Sequence, residues 1–407
     1  MKIRIEKGTA RGKISAPPSK SMAHRLLISA AMCDGVSTVH GISDCDDVEA
    51  TLDCLTSLGI KAEKHGGDVT VFGKNFRNAT PTAPLHARES ASTLRFMIPL
   101  AMLSGNSAVF YGSKSLMRRP MGIYEKLFEE KGLTYINDGE SIVVRGPLTS
   151  GEYCIQGNVS SQFISGLIFA LPNLESESII KIIPPIESRS YINLTVNAVR
   201  EFGISVEWVD EYTLKIPGGQ VFTPRDVTVE GDYSGAAFPD ALNLFDGQVE
   251  ISGLSPDSIQ GDRVYKRYFD MLASGSPGIH IGDCPDLAPV LFAVAAAKYG
   301  GVFSGTARLR IKESDRAEAM ARELRKFGTA VSVYEDTVAI YPIDFHAPTE
   351  VLSGHNDHRI VMALSVLLTL VGGEIDGAEA VKKSYSHFFE NLKALGIKIF
   401  EDVKIDT

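Results

Sequence analysis

Apolar and polar positions along this chain follow two rhythms, and the pair of rhythms recurs. A stretch with apolar residues at helical spacing ends on a glycine, and a short every-other-residue alternation comes next. Leu52 to Leu58 runs into Gly59, then Ile60-Lys61-Ala62 and Val69-Thr70-Val71. Leu127 to Lys131 runs into Gly132, then Ser141-Ile142-Val143-Val144. Val196 to Phe202 runs into Gly203, then Ile204-Ser205-Val206 and Leu214-Lys215-Ile216. Leu324 to Phe327 leads to Gly328, Val331-Ser332-Val333 and Val338-Ala339-Ile340, and Leu392 to Leu395 leads to Gly396 and Ile397-Lys398-Ile399. A fainter copy passes through Met271-Leu272 near Gly275. The glycine stands where a helix ends in a left-handed residue, and the alternating segments beyond it read as strands. Helix–glycine–strand is a common connection, so the even spacing carries the argument. Copies roughly seventy residues apart, with one shorter step, predict six α/β units in two domains of three. Each unit reads as a strand, a helix and a strand pair. The fold class is mixed α/β with parallel helices and mixed sheets.

No G-x-G-x-x-G follows a predicted strand. Gly8 to Lys13 is one residue short of a P-loop and has Ile14 where a hydroxyl should hold magnesium, so both nucleotide motifs are rejected. A length of 407 residues fits two domains. Hydrophobic residues at 44% and charged residues at 22% are those of a soluble globular protein. The net charge of −9 repels nucleic acid and anionic lipid at long range, although a local basic cleft can still take an anionic small molecule. Cys33, Cys45, Cys54, Cys154 and Cys284 form no CxxC pair and read as free thiols in a reducing compartment. Met1 to Lys13 has no apolar signal region, and Val361 to Val371 is too short to span a bilayer. The expectation is a cytoplasmic monomer without nucleic-acid or membrane partners.

The chemistry-bearing residues cluster at predicted helix starts. Pro17-Pro18-Ser19-Lys20-Ser21 with Arg25 precedes Leu26 to Met32. A helix start offers free N–H groups and a positive dipole, which favour an anion, and Lys20, Ser21 and Arg25 can converge on one. A solvated first turn reads equally well. Ser90-Ala91-Ser92-Thr93-Leu94-Arg95 opens a second helix and Asn158-Val159-Ser160-Ser161-Gln162 another, where capping is the plain alternative. Arg118-Arg119-Pro120 begins a further helix with Pro in its first turn. In the C-terminal half, Arg308 to Arg316 carries four basic and two acidic residues before a helix; Glu313 and Arg316, at i, i+3, can simply pair on its surface. Asp286 heads Leu287 to Ala297 and reads by default as an N-cap. Asp357-His358-Arg359 and Lys382-Lys383-Ser384-Tyr385 precede two more helices. His355 and His358 lack a third ligand for zinc. Parallel helices would turn these starts toward one cleft suited to a multiply negative ligand, with Asp286 or Glu313 as acid or base.

Ser19-Lys20-Ser21 with Arg25, Ser160-Ser161-Gln162, Lys312-Glu313-Ser314-Asp315-Arg316, Asp357-His358-Arg359 and Lys383-Ser384-Tyr385 resemble the 5-enolpyruvylshikimate-3-phosphate synthase family, in family order. The resemblance implies two domains of three α/β units joined by a double crossover. Residues 1–12 and 229–407 would form the phosphoenolpyruvate side and 13–228 the shikimate 3-phosphate side, with the active site in the cleft between them. It implies transfer of the enolpyruvyl group of phosphoenolpyruvate to the 5-hydroxyl of shikimate 3-phosphate by addition and elimination, with no metal or organic cofactor. By that match, Lys20, Ser21, Arg25, Ser160, Ser161, Gln162, Ser188, Asp286 and Lys312 would hold shikimate 3-phosphate. Lys20, Ala91, Arg119, Gln162, Arg316, Arg359 and Lys383 would take phosphoenolpyruvate. Asp286 would be the base on the 5-hydroxyl, and Glu313 or Lys20 would handle the proton at the methylene carbon.

The chain departs from the pattern in three places. Arg308 stands where many members have asparagine, Ser386 where proline is frequent, and Ala91 where many have glycine. The Ala91 methyl is expected to crowd any guest bulkier than phosphoenolpyruvate. The related family acting on UDP-N-acetylglucosamine carries Lys-Asn near its start and a reactive loop cysteine; Lys20-Ser21 and the lack of Cys near Arg119 argue against it. A non-catalytic anion binder of the same fold would gain nothing from Asp286 and Glu313.

Overall fold

The structure, a computed structural model, describes residues 1–401. The chain divides into two compact units, Pro18–Glu230 and Met1–Pro17 with Gly231–Thr407. The crossings fall a few residues from those the sequence suggests, and pairing explains why. Arg11–Ser15 is a strand laid parallel to Gln248–Ser252, so residues beyond 12 stay with the C-terminal half. Val227–Thr228 pairs with Val39 and His40, and the Val229 amide continues that ladder to His40 at 2.9 Å, so the inserted unit extends past 228. At the crossing the Ser19 amide donates to the Glu230 carbonyl at 2.8 Å.

Pro18–Glu230 contains three four-stranded sheets of one design. Each has a parallel pair at one edge and two antiparallel neighbours beyond it. In the first sheet the order is Val227–Thr228, Gly35–His40, Asp68–Gly73, Lys61–His65. Each repeat carries two main helices, one more than the sequence pattern suggested, and the second repeat adds the one-turn helix Lys114–Met117. The first of each pair, Lys20–Ala31, Ala91–Ala101 and Ser161–Ala170, is apolar over most of its surface and buried in the shared core. Its second partner, as in Asp46–Ser57 or Arg189–Glu201, keeps one polar face in water.

The other unit repeats the plan with Gly278–His280, Gly301–Ser304, Thr337–Pro342 and Thr329–Val333, and with Leu352–Ser353, Gly373–Asp376, Lys2–Ile5 and Ile399–Glu401. The N-terminal strand Lys2–Ile5 lies inside its sheet, antiparallel to both neighbours. Helices Tyr233–Ala241, Ala288–Ala297 and His358–Val371 fill this second core.

The repeat glycines have a plain physical role. Gly59, Gly132, Gly203, Gly328 and Gly396 have φ of +81°, +68°, +83°, +79° and +89°. At four of them the next amide reaches back to the same carbonyl of the last turn: Ile60 to Leu55, Leu133 to Phe128, Ile204 to Val199, Ile397 to Leu392. That bond consumes a carbonyl the helix cannot use and turns the chain into a strand. Gly275 differs. It ends helix Tyr265–Ser274 in extended backbone, and among the described residues no hairpin returns to its sheet, which pairs Gln248–Ser252 with Arg11–Ser15. Among the described residues, no helix is long and apolar enough to cross a membrane.

Candidate active site

In Pro18–Glu230, helix starts gather at one end, and polar side chains knit them together. Lys20, first residue of its helix, donates to Asp47 Oδ2 at 2.7 Å on the first turn of the next helix. The Asp47 carbonyl accepts from Thr93 Oγ1 at 3.4 Å on a third helix. Ser90 caps that helix, accepting from the Thr93 amide at 3.3 Å. Ala91 follows the cap and is almost wholly buried. Ser160 caps the fourth, accepting from the Gln162 amide at 3.3 Å, with Ser161 buried beside it. Gln162 then bridges back: its Nε2 donates to Ser92 at 2.8 Å and its Oε1 accepts from Arg95 at 2.7 Å. Arg95 also donates to the Pro120 carbonyl at 3.1 Å, anchoring the half-buried Arg119 loop next to it. Pro120 lies before helix Gly122–Glu130 rather than in its first turn.

Arg25 is 2% exposed. It donates to Thr195 at 2.8 Å and to the carbonyls of Ser21 and Tyr191 at 2.6 and 3.0 Å, over the Phe96 ring. Burial lowers its ordinary value to about 10. These contacts tie Arg25 to helix Arg189–Glu201, which begins at the left-handed, buried Ser188. Beside it, His24 sends Nδ1 to Thr51 Oγ1 at 2.7 Å; Thr51 meets Thr93 at 2.7 Å, and Thr93 meets Ser90 at 2.9 Å. Burial, then Lys20 and Arg25, hold His24 well below the usual range, so its ring is neutral. This buried string fixes the Lys20 and Ala91 helices against each other.

The second unit assembles its charges around Arg316, which is 1% exposed. Its Nε donates to Asp357 Oδ2 at 2.8 Å, Nη1 to Asp286 Oδ1 at 2.9 Å and Nη2 to Glu313 Oε2 at 2.6 Å. The surface-pair reading of Glu313 and Arg316 therefore fails: Glu313 precedes the Asp315 cap and meets a buried cation. Burial opposes the Arg316 charge, but Asp357, Glu313 and Asp286 more than offset it and raise its proton affinity. Asp286 is no N-cap either. It sits in the turn Pro285–Leu287, and its carboxylate takes Lys312 at 3.3 Å, Arg316 and, through Oδ2, Arg359 at 2.9 Å. Arg359 adds the Asp286 carbonyl at 3.1 Å and Ser234 at 2.6 Å. Asp357 caps helix His358–Val371 through the Arg359 amide and takes Ser314 as well. The buried Lys383 ammonium donates to the Asn356 carbonyl at 2.6 Å. Burial brings Lys312 down to about 8, with Asp286 opposing and Arg308 and Arg316 adding to the fall. Among the described residues no group of three His, Cys, Asp or Glu is arranged for a metal ion.

Each unit thus gathers its predicted site residues around its helix starts: Lys20, Ser21, Arg25, Ala91, Arg119, Ser160, Ser161, Gln162 and Ser188 in one, Asp286, Lys312, Glu313, Arg316, Arg359 and Lys383 in the other. Sequence reasoning missed Asp47 and Ser234 and quoted Arg95 and Asp357 in their segments without giving them a role; all four orient these groups. Arg95 had a signal, an arginine one turn past a hydroxyl-rich cap; Asp357 had none beyond capping.

Fold and side chains define a two-unit α/β protein of repeated units, each unit drawing basic and hydroxyl side chains together at its helix starts. The family model for EPSP synthase (3-phosphoshikimate 1-carboxyvinyltransferase) matches residues 5–392, and the chain belongs to that family. The 3-phosphoshikimate 1-carboxyvinyltransferases of Clostridium kluyveri and Clostridium beijerinckii are each 36% identical to it, over 98% and 97% of both chains. The fold matches that of EPSP synthase from Acinetobacter baumannii with a TM-score of 0.80, over 98% of this chain and all of the other, at 23% identity.

Proposed function

We infer that this chain transfers the enolpyruvyl group of phosphoenolpyruvate to the 5-hydroxyl of shikimate 3-phosphate and releases phosphate. In the addition, the 5-oxygen bonds to C2 of phosphoenolpyruvate while the methylene carbon gains a proton. In the elimination, that carbon loses a proton, the C2–phosphate oxygen bond breaks, and the double bond returns. Asp286 takes the hydroxyl proton, and Glu313 or Lys20 serves the methylene carbon. Arg119, Arg316, Arg359 and Lys383 grip phosphoenolpyruvate, with Lys20, Gln162 and the Ala91 backbone position beside it; Arg is the side chain of choice for such anions. Ser21, Arg25, Ser160, Ser161, Ser188 and Lys312 hold shikimate 3-phosphate. In this reading both units act on the same substrate pair.

The observation that carries the reading is the buried Arg316, holding Asp286 and Glu313 on its two terminal nitrogens. In this reading the base for the hydroxyl and one of the two candidates for the methylene proton sit on opposite arms of one cation, where charge on a transferring group can be stabilised. Phosphate release is the test. It is expected only with both substrates present, and Asp286→Asn is expected to lower kcat by about 10²–10⁴ while both substrates still bind. Phosphate release from phosphoenolpyruvate alone at the full rate would reject the reading.

A further inference from the structure

Helix Arg316–Arg325 grips one loop at two points, two turns apart on the same face. At its start Arg316 holds Asp357. Seven residues on, Glu323, 0% exposed, accepts from the Ser353 amide at 3.0 Å, from Lys326 Nζ at 2.9 Å and from His355 Nε2 at 2.8 Å. Between the two grips, His355 and Asn356 both have left-handed backbone, with φ of +49° and +52°. Two consecutive non-glycine residues rarely adopt that conformation and keep it only where surrounding contacts hold them. The turn does two things. It presents the Asn356 carbonyl to Lys383 at 2.6 Å, and it delivers Asp357 and Arg359 to the start of helix His358–Val371.

We propose that the hydrogen bond from His355 Nε2 to Glu323 is a positioning tie that holds the 355–356 turn, and through it sets Lys383 and Arg359 for phosphoenolpyruvate. The proposal rests on the function given above. Neither His355 nor Glu323 is a catalytic residue; both act through the turn. A carboxylate only accepts, so the ring carries its proton on Nε2. The tie does not duplicate the Arg316 contact: the Asp357 grip fixes the end of the turn, and Glu323 fixes its beginning.

Three full-length variants separate the possibilities. His355→Ala removes the donor. His355→Asn suits left-handed backbone but is too short to reach Glu323. His355→Gln keeps a donor near the position of Nε2. With both substrates varied, the Ala and Asn variants are expected to raise KM for phosphoenolpyruvate about five- to tenfold, leaving KM for shikimate 3-phosphate within about twofold, and Gln is expected to restore the first value. Amide hydrogen exchange across residues 353–358 is expected to rise in the Ala and Asn variants and not in Gln. An unchanged KM for phosphoenolpyruvate overturns the tie, even with faster exchange, and leaves the reaction standing. A fall in kcat alone, shared by the Gln variant, overturns it in favour of a merely structural role. Exchange is read without turnover, so unaltered protection in all three variants overturns the tie whatever the reaction proves to be.

Discussion

Lys312 shows how burial, with neighbouring charges added, can set a side chain's working range. An ordinary lysine loses its proton near pH 10.4, whereas Lys312 does so at about 8. Its charge is therefore lost as pH rises through about 8, and its attraction for an anion falls with it. The same shift means that the unfolded chain binds the proton more tightly. This lysine thus weakens the fold below about pH 8, and the penalty disappears as pH rises toward the unfolded value near 10.4. Lys312→Arg keeps the charge at high pH. It is expected to move the alkaline limb of kcat/KM for shikimate 3-phosphate upward by about one unit or more, read across pH 6–10. At this scale the sequence showed the residue types: Arg316, Arg359 and Lys383 stand out as cations at helix starts. Their partners did not show, because Arg316 and Asp357 are 41 residues apart and an aspartate before a helix looks the same whether it caps or pairs. Arg25 was legible as a cation but not as a buried one held by a threonine and two carbonyls.

Among the elements, the helix–glycine–strand junction was the most legible feature. Left-handed backbone is cheap only for glycine, so the chain prints the junction in its sequence. The faint copy at Gly275 marks the repeat whose hairpin is missing: without strands to turn into, the glycine has no left-handed bond to make. The first helix of each repeat was harder to see as part of the repeat, because a helix buried on nearly all sides has no polar face to set its period. The glycines also differ in what surrounds them. A Cβ at Gly59 would meet nothing within 4 Å, whereas one at Gly328 would lie 2.1 Å from the Asp344 carbonyl oxygen. Gly59→Ala is thus expected to cost about 1–2 kcal/mol, the left-handed penalty alone. Gly328→Ala is expected to cost clearly more, since backbone must also move. Urea midpoints of the two variants against the parent check this; equal losses would remove the steric part of the account.

At the scale of the whole molecule, one unit is inserted in the sequence of the other. Pro18–Glu230 is a single uninterrupted segment, and each of its three sheets is completed from within it. Expressed alone, it is expected to melt cooperatively by circular dichroism. Residues 231–407 alone are expected not to, because their sheet lacks the inner strand Lys2–Ile5; joining residues 1–17 to them through a short linker is expected to restore the transition. A cooperative melt of 231–407 without that strand would contradict the argument. The nesting has a consequence for biosynthesis. Lys2 pairs with Asp376 and Ile5 with Gly373, so the first strand leaves the ribosome long before its neighbours exist. At ~5–20 residues per second the wait is on the order of 20–70 s. Throughout that interval Ile3 and Ile5, both buried at the end, travel with no sheet to join, while a complete domain folds behind them. Until Gly373–Asp376 emerges, those two isoleucines are exposed apolar surface open to mispairing.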